Sequence, residues 1–107
     1  MLVRNGSHPA RVTAVSAEDH YCRVFEDGGS QRLMHARFGD VIGELADQDG
    51  TQIHRGAWVA DRAVVDARRV GRGWEVALPC GTALRVSATH RAEAKRRGWL
   101  NRQRART

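Results

Sequence analysis

Cysteine is scarce, aromatic side chains are few and lysine is almost missing. Two cysteines in 107 residues, Cys22 and Cys80, make neither a disulfide framework nor a CxxC pair, so both read as reduced thiols. One tyrosine and two phenylalanines leave little for a base-stacking surface of the kind that single-strand RNA modules use. No apolar run approaches the roughly 18 residues of a membrane helix. The start, Met1-Leu2-Val3-Arg4-Asn5-Gly6, lacks a signal-peptide core, and a soluble cytoplasmic protein with no membrane partner is expected. No nucleophile elbow, phosphate loop or HExxH pattern occurs, so neither an enzyme nor a cofactor is expected. A thiol enzyme would need Cys80 or Cys22 with His90 and Asp61 or Asp66. A metal site would need either thiol with His20 or His90. The spacing brings neither set together, and no metal is expected.

What is present is arginine, unevenly spread. Of 18 basic residues 17 are arginine, the side chain whose planar fork suits phosphates and guanine edges. Residues 1–50 hold five basic and eight acidic side chains, a balance of −3, whereas residues 51–107 hold thirteen and four, a balance of +9. From Arg91 onward seven basic residues face only Glu93. Codon bias would enrich arginine everywhere and leaves this asymmetry unexplained; polyanionic partners are expected. At 41% hydrophobic and 28% charged, the composition suits one globular domain with a modest core.

The hydrophobic pattern is mostly of period two. Arg11–Ser16, Tyr21–Glu26 and Gln31–His35 read as an antiparallel meander, with Glu26-Asp27-Gly28-Gly29-Ser30 as a hairpin turn. Phe38, Val41, Ile42 and Leu45 then fall at i, i+3, i+4 and i+7, which predicts a short helix held by packing. After the loop Asp47–Gly50, two extended pieces, Thr51–His54 and Gly56–Val59, break near Arg55-Gly56. Strands follow at Ala63–Val70, Trp74–Leu78 and Leu84–Ser87. From Ala88 the composition turns helical, with Gly98 as the cap, and the tail after Leu100 is expected to be disordered. Phe25, Phe38, Trp58 and Trp74 fall within this periodicity and are assigned to the core. The fold class is thus mostly β: packed antiparallel sheets of about eight to ten short strands, one short helix after the third strand and a basic C-terminal helix.

Three segments in order resemble the LytTR DNA-binding domain over about residues 10–100. Gln52-Ile53-His54-Arg55-Gly56-Ala57-Trp58-Val59-Ala60 is similar to its His-Arg-Ser-aromatic segment, with Gly56 in place of the serine and Ala60 in place of an asparagine. Gly81-Thr82-Ala83-Leu84-Arg85-Val86-Ser87 is similar to its closing Gly-x-x-x-x-Val-Ser-Arg strand, with Ala88 at the arginine. Ala17-Glu18-Asp19-His20-Tyr21-Cys22-Arg23-Val24 is similar to its second strand. This divides the chain into a leader, 1–9, the domain, 10–100, and a basic tail, 101–107.

The resemblance implies a sequence-specific transcriptional regulator, as in bacterial response regulators, whose loops enter successive major grooves of double-stranded DNA and bend it. Base reading would fall to His20, to Arg55 and, at the departed third position, to Thr89, His90 or Arg91, unless recognition there is lost. A histidine can donate or accept at a purine edge, and an arginine fork fits guanine. Backbone contacts would come from His54, Ser87, Lys95, Arg96 and Arg97. Two copies on repeated half-sites are expected. An upstream sensor or receiver protein is the expected control partner, and the initiating methionine favours a stand-alone regulator over an excised domain. The alternative is a small β-rich RNA-binding or nonspecific nucleic-acid-binding module.

Overall fold

The computed structural model describes residues 2–101, and β-branched or aromatic residues recur in every segment that becomes a strand except Gln31–His35. Eight strands occur among the described residues: β1 Val12–Glu18, β2 Tyr21–Glu26, β3 Gln31–His35, β4 Gly50–His54, β5 Ala57–Ala60, β6 Asp66–Val70, β7 Gly73–Ala77 and β8 Ala83–Val86. Two helices join them, α1 Phe38–Gly43 after the third strand and α2 Arg91–Arg96 near the C-terminus. This is the mostly β architecture that the sequence pattern predicts.

The first five strands form one antiparallel sheet in the order β3-β2-β1-β5-β4, and the last three form a second, β6-β7-β8. β1 enters with Val12, Thr13, Ala14 and Val15 all buried, so the middle of the large sheet is covered on both faces. α1 packs on β1 and β2 and sinks Val41 into the core, with Phe38 and Ile42 half-buried beside it. The helix closes at Gly43 rather than at Leu45, yet Leu45 still reaches the core from the following turn. α2 lies against β4, and β4 also meets β8, which fastens the two sheets together. Gly98, at φ 81°, ends α2 in the left-handed conformation that glycine adopts without penalty.

Three boundaries differ from the pattern. The stretch expected to be one strand over Ala63–Val70 begins as a helical turn, Asp61–Ala63, and only Asp66–Val70 pairs with β7. Ala63 and Val64 are buried there as a connector, so burial rather than pairing explains their apolar character. The segment ahead of Pro9, read as a leader, packs on the domain: Leu2 is fully buried and its amide donates to Glu44 at 3.0 Å. Beyond α2, Trp99 is fully buried in the turn Trp99–Asn101, a core residue outside the periodic segments. Phe25 and Trp58 are buried, and Trp74 is half-buried against the core. The basic tail expected over 101–107 lies outside the described residues, except for the backbone of its first position. No helix among the described residues is long and apolar enough to cross a membrane.

Candidate nucleic-acid interface

Strand order decides which loops meet. β1 and β2 are joined by the two-residue turn Asp19-His20, closed by the pair Glu18 and Tyr21. Tyr21 pairs in turn with His35, so the exit of β3 lies beside that turn. On the other side the Ala17 amide donates to the Gly56 carbonyl at 2.8 Å, which brings in the β4–β5 turn at Arg55-Gly56. One end of the large sheet therefore displays, across its width, His35 and Arg37, then His20, then Arg55.

β8 extends this end. The Ser87 amide donates to the Ile53 carbonyl at 2.8 Å, setting the end of β8 beside His54. A cleft of about 480 Å³ opens between the sheets, lined among others by Asp19, His54, Arg55, Leu84 and Arg85. A neighbouring cleft of about 440 Å³ is lined by Asp19, His20, His35, Ala36, Arg37 and Asp40. Arg37, Arg55 and Arg85 are exposed, and none forms an ion pair with a described residue. Three unpaired guanidinium groups beside two clefts make a surface suited to phosphates and to the acceptor edges of bases.

The residues expected from sequence are treated unequally by this geometry. His20 and Arg55 stand exposed at the same end. His54 is half-buried, and its Nδ1 accepts the Gly56 amide at 3.3 Å, which requires any neutral ring to carry its proton on Nε2. It thus braces the turn that presents Arg55. In the third segment Thr89 is exposed, whereas His90 Nδ1 meets Ser87 Oγ at 2.7 Å and the Arg91 guanidinium donates to the Arg72 carbonyl at 2.9 Å. That segment starts beside the Arg55 turn through the contact of Ser87 with Ile53.

α2 then runs back along β4 toward the opposite end of the sheet. Arg97 is only 22% exposed and donates twice to Asp61, both at 2.9 Å, and once to Glu93 at 2.7 Å. Arg96 also pairs with Glu93. Hydrogen bonds from Arg96 and then Arg97 hold the Glu93 carboxyl down at about 2. Lys95 is exposed and unpaired among the described residues. Sequence reasoning missed Arg37 and Arg85. Arg85 alternates with the inward Leu84 and Val86, and Arg37 follows the strand whose pairing to β2 sets its position, so strand register was the available signal.

The thiols and their expected partners sit as follows. Cys22 is buried in β2, its thiol bonded to the Ala36 carbonyl and pushed up by burial. Cys80 is exposed in the β7–β8 turn, at the other end of β8 from His90. Asp61 is engaged by Arg97. Among the described residues no group of three His, Cys, Asp or Glu side chains is placed to hold a metal.

No protein-family model matches the chain, and no curated protein matches it. Among solved structures it is similar to the LytTr DNA-binding domain of a Bacillus cereus protein described as a methyl-accepting/DNA response regulator. That likeness has a TM-score of 0.69 at 12% identity and covers 83% of this chain and 82% of that one. The chain has the LytTR-type fold, with its two antiparallel sheets and short C-terminal helix.

Proposed function

We propose that this chain is a sequence-specific, double-stranded DNA-binding regulator of transcription that works by binding and not by catalysis. The observation that carries the reading is the gathering of unpaired Arg37, Arg55 and Arg85 with His20 at one end of a sheet whose fold is that of a DNA-binding domain. His20 and Arg55 read base edges in the major groove, with Thr89 and its neighbours His90 and Arg91 beside them. His54 and Ser87 support the reading turns and meet the DNA backbone, together with Lys95 and Arg96. Arg97, its fork filled by Asp61 and Glu93, anchors α2 instead.

The loops at this end of the sheet meet successive major grooves on one face of a duplex that they bend. Two copies on repeated half-sites, in the cytoplasm and under a separate sensor or receiver protein, complete the proposal. The RNA-binding alternative needs exposed rings for stacking; among the described residues Tyr21 is the large aromatic side chain that is exposed, and it lies edge-on to His35.

Selection from a randomised duplex library, followed by anisotropy across a salt series, tests the proposal. A recurring motif is expected, preferred over scrambled duplex by a margin that survives added salt and shrinks about tenfold or more in Arg55→Ala. Equal binding of all duplexes, or preference for an RNA hairpin in direct competition, overturns it.

A further inference from the structure

Asp19 is the one described residue other than glycine with a positive φ, +56°. A side chain with a Cβ resists that conformation, and aspartate is among the few that tolerate it. The turn thereby holds an exposed carboxylate at the boundary of both clefts, with Arg55 and Arg85 on one side and His20 and Arg37 on the other. Yet Asp19 forms no ion pair or hydrogen bond with any described residue. An unpaired carboxylate in a basic cleft repels phosphates, so it weakens sequence-independent binding.

A carboxylate can only accept hydrogen bonds. In the major groove its partners are the amino groups of cytosine and adenine, whereas an arginine fork seeks the two acceptors of guanine. Arg55 and Asp19 line the same cleft. A G·C pair presents guanine acceptors and the cytosine amino group side by side, matching both side chains at once. We infer that Asp19 and Arg55 together read one G·C base pair, Asp19 accepting from the cytosine amino group, and that Asp19 sets specificity while lowering nonspecific affinity. This rests on the duplex-binding function proposed above.

The test repeats the randomised-duplex selection with wild type, Asp19→Gly, Asp19→Asn and Arg55→Ala. Glycine accepts the positive φ without strain and removes the acceptor, and asparagine keeps the turn while removing the charge; thermal melting checks that each variant is folded. In Asp19→Gly, cytosine preference at one G·C position relaxes about tenfold, the same position relaxes in Arg55→Ala, and binding to random duplex tightens in both Asp19 variants. A wild-type motif that persists unchanged in Asp19→Gly, or relaxation at a position different from that of Arg55→Ala, overturns this inference alone. A wild type that enriches no motif overturns the regulator function and this inference with it.

Discussion

The two ends of the five-stranded sheet hold the same residue type and use it in opposite ways. At one end Arg37, Arg55 and Arg85 stand unpaired around two clefts. At the other, Asp27, Asp49 and Asp61 cluster near the sheet, and the arginines among them are committed. Arg62 pairs with Asp27 at 3.0 Å and also donates to the Ala10 and Val12 carbonyls, fastening the chain's entry into β1 to the turn after β5. Arg97 fastens α2 to Asp61. One end ties elements of the fold together, and the other leaves its guanidinium groups unpaired. Neither role belongs to arginine as such; each follows from whether the fold closes an ion pair on the guanidinium.

The glycines of the two ends break the comparison most sharply. At the anchored end a Cβ on Gly50 would lie 2.4 Å from the Trp58 ring and 2.6 Å from the Val59 carbonyl oxygen. Gly50→Ala is expected to cost about 1–3 kcal/mol, and at the upper end of that range if the backbone cannot shift. At the open end a Cβ on Gly56 would meet only the Ala17 Cβ, at 3.2 Å. Gly56→Ser, which restores the residue of the motif it resembles, is expected to cost less than about 1 kcal/mol. Urea titration of both variants checks this, and equal costs would show that the open end is as tightly packed as the anchored one.

A smaller effect separates the arginines. Arg97→Ala removes a partly buried clamp and is expected to lower stability by about 1–2 kcal/mol. Arg85→Ala should leave the melting temperature within about 2 °C and weaken duplex binding several-fold, a change of less than about 1.4 kcal/mol. Thermal melting and anisotropy on the same samples would expose the reverse assignment if Arg85→Ala melted early and bound normally.

The smallest effect is a pH dependence. Glu93 is held at about 2 when folded, by Arg96 and then Arg97, against about 4.3 when unfolded. Its stabilisation is therefore complete above the unfolded value and is lost as pH falls from about 4.3 toward 2. Glu93→Gln is expected to melt with a shallower decline between about pH 5 and pH 2. Parallel profiles would remove Glu93 from the clamp.

Much of the fold was legible because alternation and helical spacing are local properties. Leu84 and Val86 alternate with Arg85, and Phe38, Val41, Ile42 and Leu45 repeat at helical spacing, so β8 and α1 could be read directly. Leu2 and Trp99 could not, since each lies outside any periodic run and is buried by residues distant in the chain. The candidate site was half legible: His20 and Arg55 came from motif segments, whereas Arg37 lies outside them and Arg85 sits inside one at a position the motif does not single out, and both join the site only through strand pairing.

The sequence by itself determined the strands, the short helices, the turns between them and the surplus of arginine, because these depend on neighbours within a few residues. Tertiary structure alone decided which arginines became clamps between distant segments. A guanidinium is neutralised by whatever carboxylate the fold brings within about 4 Å, and for Arg62 and Arg97 those carboxylates lie 35 and 36 residues away.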